Sequence, residues 1–197
     1  MSSVFYQIAC IVIPCLIYQI YMIKTKPHMQ ACPWHIVWSY IFFVYLFLVF
    51  SAVGTGSIWD IGNYNEIIRL DEINLIPFQS DGVITYVLNI IMFIPLGFLL
   101  PFIWKKYQKV QCTVLAGAAF SFTIECCQLF NQRISDIDDL LMNTLGAFVG
   151  YLLWMVFQHI FHNHKSYEPL SNHEAEIYLI LAFLGQFLLY NWRLFLT

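Results

Sequence analysis

Charge is what this chain has least of. Only 11% of its 197 residues are Asp, Glu, Lys or Arg, against 60% hydrophobic residues and a mean hydropathy of +0.68. A water-soluble domain cannot cover its surface with so few charges, so the composition points to an integral membrane protein. No Lys/Arg-rich arm with interleaved aromatics occurs, and a net charge of −3 is small, which argues against a nucleic-acid partner. Positive charge is missing from residues 1–7 as well, so the first apolar stretch reads as a retained helix rather than a cleaved signal peptide. The six cysteines (Cys10, Cys15, Cys32, Cys112, Cys126 and Cys127) lack paired CxxC spacing and fall mostly in apolar runs. They read as buried thiols that pack as small hydrophobes, not as metal ligands. GxSxG, HExxH and internal repeats are also absent.

What is present is a series of apolar runs, each near the ~20 residues needed to cross a bilayer as a helix. They lie at Val4–Ile23, Ile36–Val53, Ile84–Trp104, Cys112–Phe130, Leu140–Phe161 and Ile177–Leu196. The fold class is therefore all-α: a polytopic bundle of about six transmembrane helices, forming one domain over residues 1–197. An aromatic content of 18% suits belts of Trp and Tyr at the interfaces. The connection Gly54–Val83 is too apolar for a free linker and reads as a partly ordered segment at the outer interface, with Asn74–Phe78 placed to cap what lies below. Lys24, Lys26, Lys105, Lys106, Lys109 and Lys165 fall on one side of the bundle, and Arg69, Arg133 and Arg193 on the other. By the positive-inside tendency the lysine side is cytoplasmic and both termini are outside. The histidines near the lysine side, including His159, His162 and His164, read as a solvated helix end.

Against this background, polar residues inside the spans stand out, since a carboxylate or carboxamide in hydrocarbon costs several kcal/mol. Glu125 and Gln128 sit at i, i+3 near the outer end of span four. Ser135 is expected to cap span five, with Asp138 as its capping-box partner. Asp136, Asp139, Asn143, Gly146 and Gly150 then form one stripe running inward, and Asn89 lies about 8 Å into span three at ~1.5 Å per residue. Asn89, Glu125, Gln128, Asp139 and Asn143 are thus expected to share one layer facing outward, with Arg133 as counter-charge. The plainer alternative is that these groups only glue helices together. Pro95 should kink span three, and the GxxxG of Gly146 and Gly150 should admit a neighbouring helix closely.

Taken together, these pieces resemble the VanZ-like family, named for a protein associated with teicoplanin resistance in Gram-positive bacteria. The matching segments are Asn74-Leu75-Ile76-Pro77-Phe78, Asn89 to Gly97 with Pro95 between them, Glu125-Cys-Cys-Gln128, and Arg133 through Asp136, Asp139 and Asn143 to Gly146. They fall within residues 74–150 and recur in the family's order. The resemblance implies an integral membrane protein of the cell envelope, in some members linked to reduced lipoglycopeptide susceptibility.

Three functions follow as expectations. The first is an outward polar site, built from Asn89, Glu125, Gln128, Arg133, Asp136, Asp139 and Asn143. It would engage a membrane lipid, a lipid-linked cell-wall precursor or the lipoglycopeptide itself. The second is an intramembrane enzyme on such a substrate, with Glu125, Asp136 and Asp139 as candidate catalytic groups. No cofactor motif is visible, although Asp136 and Asp139 carry the oxygen ligands that Mg²⁺ or Ca²⁺ prefers. Transport is the third, opposed by the apolar lower halves of the spans, with Ile91, Met92, Phe93, Leu115 and Leu153.

Overall fold

The computed structural model describes residues 2–25, 32–61, 73–74, 76–78, 82–131, 135–161, 169–191 and 194. Six α-helices are present among them: α1 (Ser2–Thr25), α2 (Pro33–Val53), α3 (Val83–Ile103), α4 (Val110–Gln128), α5 (Ile137–Ile160) and α6 (Glu174–Leu184). The first five are long and apolar enough to span a membrane. The chain is a polytopic all-α membrane protein. Two compact units make it up, Met1–Ile67 with Glu168–Thr197, and Ile68–Tyr167.

In the first unit, α1 packs against both α2 and α6. α2 starts with Pro33, whose missing N–H is harmless in a first turn, and ends at Gly54, whose N–H still reaches the Phe50 carbonyl while its left-handed φ of 56° turns the chain out of the helix. Tyr178 of α6 is fully buried, with edge-on contacts to Tyr18 of α1 and Phe43 of α2 at ring distances of 5.7 and 4.8 Å. The sixth apolar run does not continue as a regular helix. From Gly185 to Leu189 its winding loosens to a π-helix, a form whose altered bonding exposes carbonyls to other partners. Leu188 and Leu189 use theirs to accept the Trp59 indole N–H and the Tyr6 hydroxyl.

The second unit is organised around α5, which packs against α3 along most of its length and against α4. Backbone meets backbone along the α3–α5 seam. A Cβ at Gly97 of α3 would lie 1.9 Å from the Ala147 carbonyl oxygen, and one at Gly150 of α5 would lie 2.0 Å from that of Ile94. The neighbour admitted by the GxxxG is therefore α3. Phe93, Leu96, Leu100, Ile103, Ile124 and Ala147 fill the interior. α3 remains helical through Pro95 and Pro101. Two short strands, β1 (Ile73–Asn74) and β2 (Ser135–Asp136), pair in parallel with Ile73 opposite Ser135 and Asn74 opposite Asp136. This pairing ties the long connection to the start of α5.

Candidate functional site

α3 begins, α4 ends and α5 begins at the same end of the second unit, and the polar side chains collect there. Asp136, rather than Ser135, is the N-cap of α5. Its φ and ψ of −120° and 132° are extended, and its carboxylate accepts the Asp138 N–H at 2.9 Å. A carboxylate there satisfies an orphan N–H and meets the positive end of the helix dipole, which one residue of register is enough to decide. The other Asp136 oxygen accepts from the Asn74 amide at 3.2 Å, and the Asp136 N–H donates to Glu125 at 3.2 Å. Glu125, 6% exposed, thereby fixes the chain just before α5 from the side of α4.

Asp138 does not close a capping box. It is fully buried and accepts both the Phe78 N–H, at 2.8 and 2.9 Å to its two oxygens, and the Tyr86 hydroxyl at 2.8 Å. Within the same turn the Ile76 N–H donates to the Asn74 side chain at 3.1 Å. Phe78 carries a φ of 64°, and its exposed ring stands edge-on to Tyr86 at 6.1 Å. The segment from Asn74 to Phe78 is thus held over the polar end by three side chains: Asn74 itself, Asp136 and Asp138.

One turn deeper, the Asn89 amide of α3 donates to the Asp139 carboxylate of α5. Both groups are half-buried. Another turn down, the Asn143 amide meets the Ser121 hydroxyl of α4 at 2.9 Å, with Asn143 2% exposed and Ser121 fully buried. The Oδ1 of the Asn143 amide, whose NH₂ faces Ser121, has no protein partner. Gln128 is buried at 6% exposure beside Glu125 on α4. Residues from three helices meet pairwise at successive turns rather than in the one layer expected, with Glu125 on the start of α5, Asn89 on Asp139 and Asn143 on Ser121. Arg133, the expected counter-charge, lies outside the described residues.

Several members of the cluster escape a reading of spacing alone. Ser121 is four residues before Glu125 and Tyr86 three before Asn89, so each shares a helix face with a residue already singled out. The role of Asp138 depends on a turn some sixty residues away, which helical periodicity cannot reveal. Both Asp136 oxygens are engaged by the chain itself, and no group of three or more His, Cys, Asp or Glu among the described residues has the geometry to hold a metal ion.

A second buried polar contact lies in the first unit. The His35 ring nitrogen of α2 sits 2.9 and 3.0 Å from the two oxygens of Glu174, at the first residue of α6, with both side chains fully buried. Glu174 also accepts the Leu170 N–H at 2.9 Å. His159, by contrast, is exposed at the end of α5, and His162 and His164 lie outside the described residues.

Comparison with known proteins returns one family. The profile described as VanZ/LLP1 matches residues 37–158, from α2 to the end of α5, and so includes every residue of the polar end from Asn74 to Asn143. No curated protein and no solved structure matches the chain. With well over half its length matched, and with the matched stretch carrying the assembled carboxylates and amides, the chain belongs to the VanZ/LLP1 family.

Proposed function

We propose that the polar end of α3, α4 and α5 is an outward-facing binding site for the head of a lipid-linked envelope component or a lipoglycopeptide, and that its engagement lowers teicoplanin susceptibility. The observation that carries this reading is the buried Asn143 amide, one polar atom of which lacks a protein partner beneath the Asn89–Asp139 contact. An unmet polar atom away from water costs ~1–3 kcal/mol, which a ligand or ordered water at that point would offset. Outward orientation is inferred from the lysines, with Lys105, Lys106 and Lys109 at the opposite end of α3 and α4. Arg133 supplies the charge for a phosphate or carboxylate in this scheme, and Asn89, Gln128 and Asn143 supply directional hydrogen bonds.

Binding fits the carboxylates better than acid–base chemistry does, since Asp136, Asp138 and Glu125 each hold backbone N–H groups. The test is susceptibility in a host where the wild-type chain lowers it. Asp139→Asn and Arg133→Ala, present in the membrane at wild-type level, are expected to restore sensitivity to that of cells lacking the protein. Unchanged resistance in both variants overturns the reading.

An intramembrane enzyme is the second reading, supported by the burial of Glu125 at the centre of the cluster. Purified protein that turns over a lipid-linked substrate, with loss of turnover in Glu125→Gln, would put this reading ahead of simple binding.

A further inference from the structure

Acid outweighs base at the polar end of the second unit. Four carboxylates stand there: Glu125, Asp136, Asp138 and Asp139. The stretches that lead into α3 and α5, residues 68–82 and 129–136, hold two basic residues, Arg69 and Arg133, and also bring Asp71, Glu72 and Asp81. α3 and α5 contain no Lys or Arg, and Lys105, Lys106 and Lys109 belong to the opposite end. The excess of negative charge therefore survives even with both arginines counted as paired. The donors that α3, α5 and the Asn74–Phe78 turn direct at these carboxylates are neutral: backbone N–H groups, the Asn74 and Asn89 amides and the Tyr86 hydroxyl.

A second, independent mark lies beneath the carboxylates. The Asn143 amide is 2% exposed and crosses from α5 to Ser121, which is one turn below Glu125 on α4. Its NH₂ is spent on Ser121, and its Oδ1 has no partner in the protein. That oxygen can only accept, so an occupant must bring an N–H or O–H. Phosphate and carboxylate oxygens are acceptors themselves, and the acids above repel them. One turn up the same stripe, Asp139 is half-buried and holds the Asn89 amide. An ammonium that takes the place of Asn89 exchanges a neutral donor for a charged one on that carboxylate. The rise from Asn143 to Asp139 is ~6 Å, and one nitrogen with N···O distances of ~2.9 Å on either side spans about that length. A divalent ion at ~2.0–2.5 Å from each oxygen spans less, and no described group of three His, Cys, Asp or Glu is arranged to hold one.

We propose that the polar end selects a head group carrying a primary ammonium, held between the Asp139 carboxylate and the Asn143 Oδ1. This rests on the binding site proposed above and names the class of ligand that the site takes. Two properties are required of the ligand at once: a positive charge for the acidic surroundings and N–H donors for Asn143. A quaternary ammonium has the first without the second, and a glycerol head has the second, as hydroxyls, without the first. In a zwitterionic head of the phosphoethanolamine type, the phosphate beside the amine is left for Arg133.

The test offers the full chain, in maltoside micelles, equal amounts of phosphatidylethanolamine, phosphatidylcholine and phosphatidylglycerol with identical acyl chains. Bound lipid is read by native mass spectrometry. The ethanolamine head is expected to be retained over each of the others by about tenfold or more, the ratio that one hydrogen bond to a charged group supplies. Asp139→Asn should abolish the preference over glycerol. Asn143→Leu should abolish the preference over choline and keep the preference over glycerol, while Asn143→Asp, which retains an acceptor oxygen, should keep both and so controls for folding. Free ethanolamine that displaces the bound lipid shows that the amine suffices, whatever amphiphile carries it; lipid that stays bound ties recognition to the phospholipid. Equal retention of all three heads, or preferences that neither Asp139→Asn nor Asn143→Leu alters, overturns the ammonium and leaves a binding site standing. Retention of no lipid, with a thermal midpoint that ethanolamine does not shift, removes the site itself.

Discussion

Asp138 is buried completely, yet it accepts from two separate parts of the chain, the Phe78 N–H and the Tyr86 hydroxyl. Hydrogen bonds to a charged acceptor contribute ~1.5–3 kcal/mol each. Asp138→Asn keeps the volume but loses the charge and brings an amide NH₂ against an N–H donor. A loss of about 2 kcal/mol is expected, seen as a lower thermal midpoint in detergent and faster proteolysis near residues 76–78. Retained protection of that turn would mean that the β1–β2 pairing holds it alone. His35 poses a sharper case, because His35→Ala removes the ring nitrogen that meets both oxygens of the fully buried Glu174 carboxylate. Removing a hydrogen-bond partner from a buried polar group costs ~1–3 kcal/mol, and more where the group is charged. His35→Leu combined with Glu174→Gln should recover much of that loss, and a double variant no more stable than His35→Ala would show that the pair is not the stabilising contact. Sequence alone pointed to Asp139, Glu125 and Asn89 because a carboxylate or carboxamide inside an apolar run is costly wherever the run goes. It could not point to His35, since a histidine at the start of a span looks the same whether it meets water or a carboxylate from the far end of the chain.

Helices α3 and α5 approach so closely that the seam has no space for added side chains. Gly97→Ala and Gly150→Ala each drive a methyl into the opposing backbone, which cannot swing aside as a side chain can. Overpacking of this kind costs ~1–3 kcal/mol or more. Both variants are expected to lower folded yield and the melting midpoint, whereas Gly82→Ala, with open space around its Cβ position, should behave as wild type. A normal midpoint for Gly150→Ala would mean that the helices separate without penalty. Elements were the most legible level of this chain, because runs such as Ile84–Trp104 follow from the need to match lipid with apolar residues and the helix they form runs Val83–Ile103. Less visible was the start of α5, where Ser135 and Asp136 are equally good caps on paper and the contact with Asn74 favours the second. The parallel pairing of β1 with β2 left no trace in the sequence, since a two-residue strand is too short for alternation to register.

For the molecule as a whole, the basic residues make orientation testable. Reporter fusions after Lys106 should fluoresce as a cytoplasmic green fluorescent protein, and fusions after Phe78 should give active alkaline phosphatase. The opposite pattern would put the polar end on the cytoplasmic side and remove the basis for contact with external ligands. Membership of the VanZ/LLP1 family extends over α2 to α5, so α1, α6 and the π-helix after it, joined by the Tyr18–Tyr178 and Tyr6–Leu189 contacts, fall outside the matched stretch. Phe78 is the one non-glycine residue with a left-handed φ among the described residues, and this bears on how the chain tolerates change at its mouth. A large ring is held in a geometry that suits glycine and that a β-branched residue resists. Phe78→Gly would keep the bend and lose the ring, while Phe78→Val would strain the bend and shrink the ring. Two traits that drift usually alters separately, backbone shape and side-chain bulk, are therefore locked to one codon.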